Sequence, residues 1–154
     1  MRTTQALKSL GQKVNLFVAN NCDATYEKIV QSHQIDNLEN DSLQNLLFGK
    51  WSNISFHAAY LDLCTGSSHI LIDIIKALLL NSSDSLRVLG VTITKRDPTG
   101  ETMTARIHKM EEEIVQGAKM IRVQDMVSGV KWTHAGVVTL FYLRPENHLF
   151  SDIS

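Results

Sequence analysis

Polar and apolar positions along this chain follow two periods, and the places where one gives way to the other divide it into elements. Residues 1 to 13 are polar with little periodicity and predict a flexible N-terminal arm. KVNLFVANN, from Lys13, has a short apolar core of strand character. DATYEKIVQSH places Tyr26, Ile29 and Val30 on one helical face, with Asp23 at the capping position. IDNLENDSLQNLLFGK spaces Ile35, Leu38, Leu43, Leu46 and Leu47 like a helix or two short helical turns, and Gly49 is its stop.

The period then changes. In SNISFHAAYLDL, Ile54, Phe56, Ala58 and Tyr60 alternate with Ser55, His57 and Ala59, which is strand spacing. CTGSS turns the chain into SSHILIDIIKALLLNSSDS, its least polar passage. Asp73 and Lys76 interrupt that run. At about 1.5 Å per residue, Ile70 to Leu80 covers roughly half of a hydrocarbon core, too little to span a membrane. Ser67 or Ser68 can cap the start, and Asn81-Ser82-Ser83-Asp84 ends it. The stripes Ile70, Ile74, Ala77, Leu78 and Leu71, Ile75, Leu79 predict burial on most of the circumference, leaving Asp73, Lys76 and Leu80 as the exposed edge.

LRVLGVTITKRDPTGETMTARIHK reads as a β-hairpin turning at Asp97-Pro98-Thr99-Gly100. Val91, Ile93, Met103, Ala105 and Ile107 take its core face. Thr92, Thr94, Thr102, Thr104, Arg106 and His108 take its wet face. MEEEIVQGA is ambiguous between a helical turn and a charged strand extension, and KMIRVQDM alternates again. GVVTLFYLRP is rich in β-formers and predicts a buried strand ending at Pro145. Together these elements predict an α+β fold: one domain over residues 14–150, with a mainly antiparallel sheet packed against the buried helix from about Ser68 to Leu80.

Composition narrows the roles open to such a fold. The chain has 154 residues, 44% hydrophobic and 20% charged, which are values for a globular domain. Its formal charge of −1 supplies no global field for nucleic acid or anionic lipid, so any such binding needs a local patch or many copies. The N-terminal apolar stretch is too short to read as a signal peptide, and Cys22 and Cys64 then read as reduced thiols in the cytosol. Three Asn-X-Ser sequons, at Asn40, Asn53 and Asn81, carry no weight in that compartment.

No catalytic, cofactor or metal signature emerges. Glu111, Glu112 and Glu113 are adjacent, so they cannot converge as an acid–base pair and read as a solvated face. Cys64 and His69 flank a turn, but nucleophilic catalysis needs a third group to orient the base, and none is identified. Histidines at 33, 57, 69, 108, 134 and 148 lack metal-ligand spacing. Gly66-Ser67-Ser68 opens a helix without the lysine of a phosphate loop. Lys95 and Arg96, with Arg106, Lys109, Lys119, Arg122 and Lys131, place positive charge on or near the sheet, to solvate it or to meet phosphates and headgroups. Trp51 and Trp132 precede strands, where they pack into the core or mark an interface.

In ISFHAAYLDL, then SSHILIDIIKALLL, then LRVLGVTITKRDPTGETMTARIHK, the order strand, helix, strand, turn, strand resembles the core of a rhabdovirus matrix protein. The short chain is more similar to the compact matrix proteins of plant-infecting members than to the animal ones. The resemblance covers about a third of the sequence and implies a non-enzymatic viral structural protein. Such a protein self-associates into a homo-oligomer, condenses the nucleocapsid and links it to a membrane surface. The basic residues named above would then contact nucleocapsid and membrane. Leu7 and Leu10 of the arm, with Trp51 and Trp132, would join copies. Animal members carry a lysine-rich arm, where residues 1 to 13 here offer only Arg2, Lys8 and Lys13; their proline-rich motifs have no counterpart in this chain. The alternative reading is a small cytosolic adaptor with no assembly role.

Overall fold

A computed structural model describes residues 14–32, 35–63, 68–94, 100–123, 133–134 and 137–145. The fold is α+β, and the chain divides into two compact units, Met1–Lys50 and Trp51–Ser154.

The first unit is a small βαβ arrangement followed by a helix. Strand β1 (Phe17–Ala19) lies parallel to β2 (Asn37–Glu39), and helix α1 (Asp23–Ser32) connects them. Helical bonding in α1 starts one residue before the expected cap: the Cys22 carbonyl accepts from Tyr26 N–H at 2.8 Å. The Asp23 carboxylate instead accepts from the Asn40 side-chain amide at 2.8 Å. The segment expected as one or two helical turns splits. Its first part is β2, and its second is α2 (Leu43–Phe48), capped by the Ser42 hydroxyl on Asn45 N–H and closed at Gly49. Ile29, Leu46 and Leu47 are buried, whereas Val30, expected beside Ile29, is exposed.

The second unit is built on a five-stranded sheet in the order β3 (Ala58–Asp62), β4 (Val88–Thr94), β7 (Val137–Leu143), β5 (Ile121–Arg122), with β6 (Thr133–His134) also on β7. The β3–β4 pair is parallel and the others are antiparallel. A parallel pair needs a crossover. Helix α3 (Ser68–Asn81), expected over Ser68 to Leu80, supplies it. It buries Ile74, Ile75, Ala77 and Leu78 and leaves Asp73, Lys76 and Leu80 outside, as the spacing predicts, but Ile70, expected in the buried stripe, lies in the first turn and is 39% exposed. The turn after it is tied inward, since the buried Ser82 hydroxyl accepts from Phe56 N–H at 2.8 Å. No helix among the described residues is long and apolar enough to cross a membrane.

The predicted hairpin is only half present. Its first arm is β4. Its second arm is helix α4 (Met103–Glu111), which continues into a π-helical turn, Glu112–Gly117. The Thr102 hydroxyl caps α4 by accepting from Ala105 N–H at 3.1 Å. The antiparallel partner of β4 is β7, in the register Val91↔Leu140. Arg106, Met110 and Ile114, four residues apart, are the buried positions of this helical stretch. The wet-face assignment is therefore corrected at two residues: Thr92 is only 8% exposed and Arg106 only 5%. Thr102 and Thr104 are exposed, but on a helix.

Register fixes the two faces of the sheet. Leu61↔Val91↔Leu140 and Leu89↔Tyr142 lie on one face, and all of these residues are buried. With Leu86, Met120 and the apolar faces of α3 and α4 they form the core of this unit. Ala58↔Val88↔Leu143, Tyr60↔Gly90↔Phe141 and Asp62↔Thr92↔Thr139 lie on the opposite face. Within β3 the alternating set that holds Tyr60 is the open one: Tyr60 is 53% exposed and Leu61 3%.

Candidate binding face

The open face of the sheet centres on a glycine. A side chain at Gly90 would place its Cβ 2.7 Å from Tyr60 Cδ2 and 2.8 Å from Phe141 Cε1. The two rings, one on each neighbouring strand, close over that bare backbone with centroids 6.3 Å apart and planes 22° from parallel. Next along the strands runs a row of hydroxyls: Tyr60 Oη lies 2.8 Å from Thr92 Oγ1, which lies 3.3 Å from Thr139 Oγ1. Thr92 is buried on this open face because the Tyr60 ring reaches over it.

The ends of the face differ. In the same row as Thr92 and Thr139 stands exposed Asp62. At the other end, where β4 begins and β7 and β5 meet, Val88 and Leu143 are 37% and 36% exposed. Three cations stand where these strands meet, but strand alternation puts Arg87 and Arg144 in phase with buried Leu89 and Tyr142, on the side away from Tyr60. Arg87 immediately precedes β4, and its carbonyl accepts from the N–H of Arg144, which immediately follows β7. Lys119 lies two residues before β5, whose Ile121 pairs with Leu143. Arg87 and Lys119 are exposed, and Arg144 also reaches the Ser83 carbonyl through its guanidinium.

The rest of this unit's described charge is largely matched. Lys76 Nζ lies 3.6 Å from Glu113, Lys109 pairs with Glu101, and Arg122 Nη1 donates to Glu111 Oε1 at 3.0 Å. The Tyr142 hydroxyl donates to the same Glu111 oxygen at 2.9 Å, so this carboxylate joins α4 to two strands at the helix–sheet boundary. His108 lies 3.3 Å from Glu112. The three adjacent glutamates thus serve separate partners and do not converge.

The basic residues expected to act together are dispersed. Arg106 is buried, Lys109 and Arg122 hold carboxylates, and Lys119 is exposed; Lys95, Arg96 and Lys131 lie outside the described residues. Of the expected self-association residues, Trp51 is corrected. It is 3% exposed and packs edge-on to Phe56 at 6.1 Å, so its ring cannot serve as a contact between copies. Leu7, Leu10 and Trp132 lie outside the described residues, as does Cys64 of the proposed Cys64–His69 pair. Among the described residues no three His, Cys, Asp or Glu side chains form a group able to hold a metal ion. Hydrogen bonds from the Thr25 hydroxyl first, and then its backbone, draw the exposed Cys22 thiol below its ordinary pKa.

The aromatic–glycine arrangement escaped the sequence reading, although one signal for it was present. A glycine inside a run of strand-formers, VLGVTIT, marks a place where another group approaches the backbone closely. Comparison with protein-family models, with curated proteins and with solved structures finds no match to this chain.

Proposed function

We propose that the chain is a non-enzymatic assembly protein of the matrix type, which self-associates and connects a nucleocapsid with a membrane surface. The supporting observation is the edge of the larger sheet. Among the described residues β3 pairs with β4 alone, so its other side offers unpaired backbone donors and acceptors to another strand. Natural edge strands are commonly blunted by lysine, proline or a bulge. Ala-Ala-Tyr-Leu-Asp has none of the first two and carries a single charge, Asp62. An antiparallel β3–β3 pairing centred on Tyr60 sets Asp62 opposite Ala58 of the second copy, so like charges do not face one another. Contact with membrane in this reading is peripheral, made by many copies acting together.

Sedimentation velocity of the full chain over a wide concentration range tests the proposal, with Ala58→Lys as comparison. Growing species in the wild type, weakened at least tenfold by the edge lysine, support it. A strictly monomeric wild type at every concentration and salt rejects it and favours the adaptor reading, in which the open sheet face of a single copy docks one partner.

A further inference from the structure

We propose that residues 146–154 of this chain are the cover of the open sheet face, with Phe150 seated on the Tyr60–Phe141 ring pair. This goes beyond the assembly reading and does not rest on it.

The first support is the chemistry of the face. A mainly antiparallel sheet with one side on the core commonly turns polar residues to water on the other. Here that other side carries Val88, Leu143 and Tyr60, each more than a third exposed, around the Phe141 ring and the bare backbone of Gly90. Asp62 is the only charge that the described residues of β3, β4 and β7 place there. A charged partner finds little to pair with on such a surface, and an apolar one finds surface to remove from water.

The second support is size. Strands β4 and β7 are seven residues long, and with β3 they make a patch about 23 Å by about 14 Å, roughly 300 Å². A stable dimer buries about 800 Å² on each partner, so a second copy laid on this patch alone gains too little. One chain segment of nine residues, about 30 Å when extended, matches it.

The third support is where the chain leaves the sheet. Strand β7 ends at Leu143, and Arg144 N–H makes one more ladder bond, to the Arg87 carbonyl. Pro145 has no N–H and ends the ladder. By alternation it shares the side of Leu143 and Phe141. The nine residues that follow, ENHLFSDIS, hold Leu149, Phe150 and Ile153. Phe141 lies four residues, about 13 Å, back from Pro145 along the strand. Phe150 is five residues beyond Pro145, a reach of about 16–18 Å. That is enough to rise off the sheet and return to the ring pair, with Leu149 over Val88 and Leu143. Attachment to the end of β7 also gives the segment a local concentration on the order of millimolar, which a separate partner must exceed. Leu7 and Leu10 are joined instead to the first unit.

Photo-crosslinking of the full chain, with p-benzoylphenylalanine in place of Phe150, tests the inference. Equal parts of unlabelled and isotope-labelled protein are irradiated at low and at high concentration, and the linked peptides are read by mass spectrometry. Links should join position 150 to the peptides holding Tyr60, Val88 or Phe141, within one isotopic species, in the same yield at both concentrations. A second measurement is acetylation of Tyr60 by N-acetylimidazole. It should be about tenfold faster in Leu149→Ser/Phe150→Ser, the effect of losing the burial of one large apolar side chain, while Tyr26 of the first unit reacts as before. Circular dichroism shows that the variant is folded. Links that avoid the open face overturn the inference, as does Tyr60 acetylation equally fast in both proteins. Links between isotopic species overturn it as well and give the face to a second copy. A link within one chain at low concentration needs no association, so its failure leaves pairing through β3 to the sedimentation test.

Discussion

Gly90 is the residue on which the open face depends. Any side chain there meets two rings at less than 3 Å, so Tyr60 and Phe141 must move apart. Overpacking of this kind costs about 1–3 kcal/mol. Gly90→Ala should lose that much in urea denaturation, and much of the loss should disappear in a Tyr60→Ala background, where one ring is gone. A loss that is the same in both backgrounds would mean that the strain lies elsewhere, since coupled neighbours are non-additive. The alternation of Ile54, Phe56, Ala58 and Tyr60 marks a strand but does not say which of its faces is buried. That choice is set by tertiary packing. Ile54 and Phe56 precede the strand, and the buried member of β3 is Leu61.

At the scale of elements, the helix over Ser68–Asn81 was legible because its signal is local. A short apolar run, two charges on one edge and polar punctuation at its end admit few other structures. Ile74→Asp should prevent soluble folding. An unpaired buried carboxylate costs several kcal/mol, against a domain stability of about 5–15 kcal/mol. Mutant protein that stays soluble and melts cooperatively would contradict this placement. The second hairpin arm was misread for a physical reason as well. Met103, Ala105 and Ile107 alternate like a strand, but Thr102 is a helix cap and the burial of Arg106, Met110 and Ile114 has helical spacing. Two substitutions separate the readings by thermal denaturation. Thr102→Ala should cost about 1 kcal/mol through the lost cap, and Thr104→Lys, exposed on the helix, no more than about 0.5 kcal/mol. Equal and negligible effects would speak against the helix.

For the whole molecule, the sheet is assembled from strands far apart in sequence. Val91 pairs with Leu140, and local periodicity gave no sign of that partnership. The strength of GVVTLFYLRP as a strand was visible, whereas its neighbours were not. The same limit hid the candidate face: Tyr60, Gly90 and Phe141 become a site only once β3, β4 and β7 are side by side. It also hid the charge pattern, because Lys109 and Arg122 look available until Glu101 and Glu111 are seen beside them. Among the described residues β3, at one end of the larger sheet, is paired on one side only. Assembly through that edge makes a claim about particular backbone groups. Hydrogen–deuterium exchange of the full chain at low and high protein concentration measures them directly. Amides of Ala58–Asp62 should exchange more slowly as concentration rises, while those of central strand β4, already paired on both sides, stay unchanged. Exchange in Ala58–Asp62 that is independent of concentration, in samples where larger species form, would contradict assembly through β3.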